Sequence, residues 1–215
     1  MPKTICISGQ KRNGKSILCD YLLEKLNSQN NSYPENYWEA GSFADSVKRI
    51  YSEAFGVSRQ FIEEWKCLDK IPPGMLKPVR QGLQFIGDGF RQIKSDIWID
   101  ILLRDKEKNL VISDGRYINE AKASKDRNGI NIILWRPGFE NDDPNPSEAQ
   151  ILPLVNWCLS TEQDGVIKHF YEEEGMTMPE MQYYDIFLRN DGTVEDLVQK
   201  IDRIIIPFVK DKYFS

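Results

Sequence analysis

The stretch that decides the fold of this chain is Gly9-Gln10-Lys11-Arg12-Asn13-Gly14-Lys15-Ser16. Immediately before it, residues 4–8 form a short apolar run rich in β-branched side chains, which predicts a buried strand. Immediately after it, apolar side chains recur three and four residues apart and predict a helix with one buried stripe: Ile17, Leu18, Tyr21, Leu22 and Leu26. The glycine-rich stretch is therefore predicted to be a loop that leaves a strand and opens a helix.

A loop with two glycines and a terminal Lys-Ser pair in this context is typical of phosphate-binding loops, or P-loops. Glycines allow backbone N–H groups to close around phosphate oxygens, and the helix N-terminus favours negative charge. Lys15 is predicted to reach the β- and γ-phosphates of a nucleoside triphosphate, and the Ser16 hydroxyl is predicted to coordinate Mg²⁺. The residues predicted to hold the triphosphate are Gly9, Lys11, Asn13, Gly14, Lys15 and Ser16.

Three more apolar runs, at residues 110–113, 130–135 and 184–188, predict further strands. Strands that alternate with helices predict an α/β fold, with a parallel sheet covered by helices on both faces. Ligands of such sheets bind beyond the carboxyl ends of the strands. The segments that follow these strands are therefore predicted to share one rim with the P-loop: Asp114-Gly115-Arg116, Arg136 and Arg189-Asn190-Asp191-Gly192.

Helical periodicity accounts for most of the remaining chain. A helix over residues 47–54 is predicted to stop at Gly56, and a long amphipathic helix is predicted over residues 79–93. A closing helix is predicted over residues 194–205, with Thr193 as its N-cap. Six aromatic side chains are predicted to lie mostly in the core: Trp38, Phe43, Trp65, Phe85, Trp98 and Trp135.

Composition limits the classes of function. The chain has 215 residues, of which 40% are hydrophobic, enough to form the core of one sizeable domain. Its net charge of −5 argues against a nucleic-acid partner, because binding a duplex needs a broad basic face. No apolar run approaches the roughly 20 residues of a membrane span, and four scattered cysteines fit a reducing compartment. We therefore expect a cytoplasmic protein that binds neither membrane nor nucleic acid.

Charged side chains indicate the chemistry. His169 is the only histidine, which removes most Ser-His, Cys-His and His-metal mechanisms. Asp114 ends an apolar strand, where P-loop proteins place the carboxylate that holds Mg²⁺ or its water. Arg80 and Arg91 are three helical turns apart, so both can face the same side as Gln84. Phosphoryl transfer between two anions needs several such donors, and the candidates are Arg80, Arg91, Arg116 and Arg136.

Taken together, these patterns resemble the deoxynucleoside monophosphate kinases of bacteriophages, a branch of the P-loop nucleotide kinases. Besides the P-loop, the resembling segments are residues 42–48 (Ser42-Phe43-Ala44-Asp45-Ser46-Val47-Lys48), 80–87 with Arg91 and Trp98, 112–121, 146–148 and 190–193. The resemblance implies the three-layer P-loop NTPase fold in a single domain, with a helical monophosphate-binding region at about 42–100 and a lid at about 136–150. Residues 151–182 match no part of the family, and the loop lacks the extra glycine of many nucleotide kinases.

The same resemblance implies roles for individual residues. ATP is the expected phosphoryl donor and Mg²⁺ the expected cofactor, held by Ser16 and Asp114. Asn190 and Asp191 would lie near the adenine, and Arg136 would begin the lid. The expected catalytic residues are Lys15, Asp114, Arg116 and Arg136. The expected monophosphate-binding residues are Phe43, Ala44, Asp45, Lys48, Arg80, Gln84 and Arg91, with Phe43 assigned to base stacking.

The favoured hypothesis is transfer of the ATP γ-phosphoryl group to a deoxynucleoside monophosphate. The acceptor phosphate is already ionised, so the lack of a candidate catalytic histidine is no obstacle. One alternative is a P-loop kinase of another small metabolite, in which Asp45 could act as a base. Another is a nucleotide-dependent ATPase or switch, although the sequence has no Asn-Lys-x-Asp motif and no Asp-x-x-Gly at Asp114. The expected partners are small-molecule nucleotides and a second copy of the chain in a homodimer, in the host cytoplasm if the source is a phage.

Overall fold

The computed structural model describes residues 2–28, 37–68, 70–104, 107–139, 150–160, 164–167 and 178–214. The strands in these residues are β1 Thr4–Ser8, β2 Trp38–Gly41, β3 Asn109–Gly115, β4 Ile130–Trp135, β5 Gly165–Val166 and β6 Ile186–Arg189. The α-helices are α1 Lys15–Ser28, α2 Ala44–Phe55, α3 Arg59–Trp65, α4 Val79–Ile93, α5 Ile97–Leu102, α6 Ile118–Asp126, α7 Leu152–Ser160, α8 Val194–Lys200 and α9 Ile206–Phe214. A 3₁₀ helix spans Pro179–Tyr183, and a π-helical segment, Ile201–Ile205, joins α8 to α9.

The chain divides into two compact units. The first consists of residues 1–41 and 106–215 and contains the sheet, and the second consists of residues 42–105 and contains α2 to α5. The second unit includes the whole region, about 42–100, that the sequence analysis assigned to monophosphate binding. Each unit is described below by itself.

The sheet has the strand order β2-β3-β1-β4-β6-β5. The pairs β2–β3, β3–β1, β1–β4 and β4–β6 are parallel, whereas β5 pairs with β6 in the antiparallel direction. Because parallel strands place their carboxyl ends at the same edge, the segments after β1, β3, β4 and β6 lie on one rim. The predicted parallel α/β sheet is confirmed, except at its antiparallel edge strand β5, which the sequence analysis did not predict.

Helices cover both faces of the sheet, as predicted. Alternate residues of β4 and β6 belong to two separate cores, as the two-residue period of a strand requires. One core contains Ile132 and Leu134 together with α1, α8 and α9. The other contains Ile133 and residues of α6 and α7. Strands buried on both faces must be apolar throughout, which explains why these strands read as continuous hydrophobic runs.

Residues 151–182, left unassigned from the sequence, contribute part of the second face. In their described portion, α7 buries Leu154, Val155, Trp157 and Cys158 against the sheet, and β5 extends its edge. The acidic residues 172–174 and His169 lie outside the described residues. In this portion, the segment packs on the core of the first unit.

The C-terminal helix is longer than predicted. It was expected to end at residue 205, but helical structure continues through α9 to Phe214. Pro207 has no N–H to bond with the preceding turn, and its ring crowds the carbonyl of residue 203. A widened π-helical segment just before this proline accommodates both effects.

The second unit packs its helices around Tyr51, Ile62 and Val79, which are buried. The predicted stop of α2 is confirmed, since Gly56 adopts a left-handed conformation with φ of 64°. The expectation that Phe85 is core is wrong: its side chain is 81% exposed, because it points away from the apolar stripe of α4. In the described helices, none is long and apolar enough to cross a membrane.

We predict that Gly82→Ala destabilises the second unit. A Cβ at Gly82 would lie 2.6 Å from Cε2 of the buried Tyr51 ring, so the helix or the ring would have to move. We expect a loss of about 1–3 kcal/mol, as for overpacked cores, measured by urea unfolding.

The matched control is Gly89→Ala on the same helix. No heavy atom lies within 4 Å of a Cβ at that position. The better helix propensity of alanine should therefore raise stability by up to about 1 kcal/mol. Equal effects of the two substitutions would contradict the close packing of Tyr51 against α4.

Candidate phosphate-binding site

The P-loop, Gly9–Ser16, leaves β1 and runs against the carboxyl end of β4. A Cβ at Gly9 would lie 2.3 Å from the Leu134 carbonyl oxygen, and one at Gly14 would lie 2.5 Å from Asn190 Nδ2. Both glycines have positive φ, 155° and 94°. Glycine is therefore required at both positions, because neighbouring atoms leave no room for a Cβ and because the backbone conformation disfavours other residues.

Arg12 is also in the left-handed region, with φ of 68°. A non-glycine residue there costs on the order of 1–2 kcal/mol. The loop tolerates this strain because neighbouring contacts fix its backbone.

Lys15 extends into the loop. Its Nζ donates to the carbonyl oxygens of Gly9, at 2.7 Å, and Gln10, at 2.6 Å. Burial, and then the nearby Arg116 guanidinium, lower the pKa of Lys15 to about 7, while Asp114 acts in the opposite direction. An anion bound in this loop would stabilise the charged ammonium, so the loop is electrostatically suited to phosphate.

The end of β3 carries Asp114 and Gly115, and Arg116 follows directly, beside the loop. Gly115 pairs with Ser8, the last residue of β1, and its missing Cβ would lie 2.7 Å from the Ser8 hydroxyl. The buried Glu120 carboxylate accepts hydrogen bonds from the backbone N–H groups of Arg116 (2.8 Å) and Tyr117 (3.1 Å). These contacts fix the turn from which Arg116 projects.

The donor set fits Mg²⁺. Ser16 and Asp114 supply hard oxygen ligands from neighbouring elements on the same rim, and this ion takes only one or two protein ligands in nucleotide sites, with phosphate and water completing its shell. Among the described residues, no cluster of three or more His, Cys, Asp or Glu side chains could hold a metal. A nucleotide-dependent Mg²⁺ site needs no such cluster.

The turn after β6 is held on two sides. Asn190 Nδ2 donates to the Asn13 carbonyl oxygen at 3.0 Å. Lys200 Nζ donates to Asp191 at 2.8 Å and to the Arg189 carbonyl at 2.8 Å, and it pairs with Asp164 at 2.7 Å. The hydrogen bond from Lys200 lowers the pKa of Asp191. Both residues that were assigned to the adenine region therefore take part in bonds within the protein.

Arg136 follows β4, and its guanidinium lies 4.4 Å from the centroid of the Phe139 ring. The rest of the predicted lid, residues 140–149, lies outside the described residues, including the Pro146-Ser147-Glu148 segment. The role of Arg136 at the start of a lid stays a prediction.

In the second unit, two predicted monophosphate-binding residues form ion pairs. Asp45 pairs with Arg59, and Lys48 pairs with Glu63 at 2.8 Å. Burial favours a higher pKa for Glu63, but hydrogen bonds from Lys48 and Lys66 outweigh it and lower the pKa to about 2. These pairs join the start of α2 to α3.

The other predicted monophosphate-binding residues are Phe43, Ala44, Arg80, Gln84 and Arg91. Phe43, at the start of α2, is only 4% exposed, so its base-stacking role stays a prediction. Arg80, Gln84 and Arg91 lie on one face of α4 by helical spacing.

Sequence reasoning missed three features of the site. Glu120 occupies the third position of α6, where an acidic residue can accept backbone N–H groups, and this spacing was an available signal. The link between Asn190 and Asn13 and the bonds of Lys200 join residues far apart in the chain. No local pattern could have predicted those contacts.

The chain is similar in sequence to one viral protein. It is 27% identical over 189 residues to the "Putative deoxynucleotide monophosphate kinase" of Acanthamoeba polyphaga mimivirus, and the match covers 79% of this chain and 92% of the relative. No family model matches the chain.

Two solved structures overlap with nearly the whole chain. The dephospho-CoA kinase from Campylobacter jejuni is 16% identical with a TM-score of 0.41, covering 97% of this chain and 98% of that one. The shikimate kinase from Acinetobacter baumannii, in complex with shikimate, is 14% identical with a TM-score of 0.45, covering 100% and 97%. These superpositions are loose, and the fold assignment rests on the strand order and the loop described above.

The sequence similarity extends over most of both chains, and it agrees with a P-loop that connects the central strand of a parallel sheet to a buried helix. The carboxyl ends of β3 and β4 supply the acidic and basic residues expected beside such a loop. The chain therefore has a phosphate-binding loop in a parallel α/β sheet, and its sequence is similar to that of a viral protein whose name specifies a kinase.

Proposed function

We propose that this protein is a P-loop kinase that transfers the γ-phosphoryl group of ATP to a deoxynucleoside 5′-monophosphate, giving the diphosphate. The observation that carries the proposal is the charge arrangement at the rim, where the buried Lys15 ammonium interacts with both Arg116 and Asp114. The choice of acceptor is supported by the viral relative, whose name specifies a deoxynucleotide monophosphate kinase.

The donor half of the reaction would occur at the P-loop. The loop N–H groups and Lys15 would hold the β- and γ-phosphates, and Ser16 and Asp114 would hold Mg²⁺, which neutralises charge on the phosphate oxygens. Arg116, fixed through its backbone by Glu120, would lie beside the transferred group. Charge spreads over the oxygens of that group in the transition state, so positioned cations lower the barrier.

The acceptor half would use the second unit. The guanidinium groups of Arg80 and Arg91 suit a doubly charged phosphate, and Gln84 on the same helix face could bond to the base. Phe43, Ala44, Asp45 and Lys48 would form the other side of this region. No general base is required, because the attacking phosphate oxygen is already ionised.

A hydroxyl-bearing metabolite is a weaker candidate for the acceptor. It would call for a base, and the Asp45 carboxylate is paired with Arg59. We therefore retain the nucleoside monophosphate as the acceptor.

We expect the protein to phosphorylate at least one deoxynucleoside monophosphate with ATP and Mg²⁺. A coupled assay of diphosphate formation, run over the four common deoxynucleoside and four ribonucleoside monophosphates, measures this directly. Shikimate and a simple alcohol serve as hydroxyl acceptors in the same assay. Phosphorylation of none of the monophosphates, with steady hydrolysis of ATP, would overturn the proposal in favour of an ATPase or switch.

We predict that Arg91→Ala raises the KM for the monophosphate by about 10- to 100-fold, because a charge-assisted contact to its phosphate is lost. The KM for ATP should change by no more than about twofold. Steady-state kinetics with each substrate varied in turn provides the measurement. Arg49→Ala, an exposed arginine on α2, is the matched control and should leave both constants unchanged. Equal losses for both substrates would remove Arg91 from the acceptor site.

We predict that Lys15→Met lowers kcat/KM by about 100-fold or more while it stabilises the nucleotide-free, metal-free protein. The lysine has a folded pKa of about 7, below its usual value of 10.5. Between these two pH values, Lys15 is therefore protonated in the unfolded chain but mostly neutral in the folded protein. The destabilisation that results from burying the charged lysine is complete below pH 7 and decreases as the pH rises toward 10.5.

The stability difference between Lys15→Met and the wild type should accordingly be largest at pH 6–7 and shrink by pH 9–10. Thermal unfolding at several pH values measures it. Lys122→Met, an exposed lysine on α6, should show no such trend. A stability difference independent of pH would contradict the lowered pKa of Lys15.

A further inference from the structure

The side chain of Asn190 is directed at the P-loop. It is only 6% exposed, and its Nδ2 donates to the carbonyl oxygen of Asn13 at 3.0 Å. Its backbone N–H donates to the Trp135 carbonyl oxygen at the end of β4, at 2.7 Å. The residue therefore connects the end of β6 both to the neighbouring strand and to the loop.

Asn13 continues this chain of bonds. Its side chain is 1% exposed, and its Nδ2 donates to the Leu134 carbonyl oxygen at 3.0 Å. The side chain of Asn13 thus fixes the loop to β4. The carbonyl group of Asn13 fixes the loop to Asn190, the residue that follows β6. Asn190 thus holds the carbonyl of a residue 177 positions away, and the side chain of that same residue, Asn13, is bonded to β4.

The orientation of that peptide matters for phosphate binding. A trans peptide is planar, and its C=O and N–H groups point in opposite directions. Fixing the Asn13 carbonyl toward Asn190 therefore directs the N–H of Gly14 away from β6. The N–H groups at this end of a P-loop, next to the helix N-terminus, are those that bind phosphate oxygens.

The supporting contacts make Asn190 a rigid donor. Asp164 Oδ1 accepts from the backbone N–H of Arg189 at 2.6 Å, and Lys200 connects Asp164 to Asp191. The residues on both sides of Asn190 are thereby fixed. A Cβ at Gly14 would lie 2.5 Å from Asn190 Nδ2, which shows how closely the side-chain amide of Asn190 packs on the loop.

We infer that Asn190 and Asn13 are positioning residues for the triphosphate: they set the P-loop peptide before nucleotide binds, and Asn190 does not read the adenine. The inference rests on the donor half of the proposed function, namely that the loop binds a triphosphate. A preformed loop binds the triphosphate more tightly, because binding then does not have to supply the free energy that orders the loop.

The test compares ligands with and without a base. Binding of Mg-ATP, Mg-GTP and Mg-tripolyphosphate is measured by calorimetry for the wild type, Asn190→Ala and Asn13→Ala. Each variant is expected to bind all three ligands about five to ten times more weakly than the wild type, as for the loss of one hydrogen bond. The double variant should lose less than the product of the two single losses, because both substitutions release the same peptide.

The matched control is Asn27→Ala. Asn27 also donates from its side chain to a backbone carbonyl at 3.0 Å, that of Trp38, but it lies at the far end of α1 from the P-loop. Its replacement should leave binding of all three ligands unchanged. Circular dichroism verifies that each variant is folded at the temperature of the titration.

Two results would overturn the inference. In the first, Asn190→Ala weakens the binding of Mg-ATP but leaves Mg-tripolyphosphate at the wild-type affinity, which would mean that Asn190 contacts the base. In the second, both single variants bind all three ligands as tightly as the wild type. Steady-state kinetics adds a separate readout, since the KM for ATP should rise while the KM for the monophosphate stays unchanged. A wild type that binds Mg-tripolyphosphate but phosphorylates no monophosphate would refute the proposed function and leave this inference standing.

Discussion

The rest of the site depends on the hydrogen-bonded position of β1 between β3 and β4. Parallel pairing on both edges aligns the carboxyl ends of these three strands, so Ser8 pairs with Gly115 on one side and with Ile133 on the other. The loop that leaves β1 crosses the end of β4, where Asn13 bonds to the Leu134 carbonyl. Gly9 meets the Leu134 carbonyl there, at a distance that excludes any side chain.

From this constraint follows the electrostatic character of the rim. The end of β3 and the residue after it bring Asp114 and Arg116 near Lys15, which reaches back over the loop to its carbonyl groups. Burial removes hydration from the Lys15 ammonium and the Arg116 guanidinium repels it. Together these effects outweigh the attraction of Asp114, which is why the pKa of Lys15 falls. Phosphate oxygens would compensate for the lost hydration of Lys15. The unfavourable burial of Lys15 in the nucleotide-free protein and the affinity of the loop for an anion therefore have the same physical origin.

Polar side chains buried behind the rim hold its shape. Glu120 and Asn190 bond to backbone groups of a turn and of the P-loop, and Asn13 bonds from the loop to a backbone carbonyl of β4. Backbone groups that leave regular structure must find partners when they are buried. For the P-loop, the partners come from β4 and from the residue after β6, which are distant in sequence, so the geometry of the loop depends on the whole sheet.

The sequence by itself determined the P-loop, the parallel α/β sheet with two covered faces, and the ends of β1 and β4, because these depend on residue type and local period. It overlooked β2, α6 and the antiparallel edge strand β5, which are short or weakly periodic, and it ended the last helix too early, at residue 205. It also placed Phe85 in the core, since periodicity identifies apolar positions but not what covers them. Only the tertiary structure decided that Asn190 bonds to Asn13 and that residues 151–160 complete a core. These contacts join segments that are distant in sequence, and no local pattern of residues specifies which distant segments will meet.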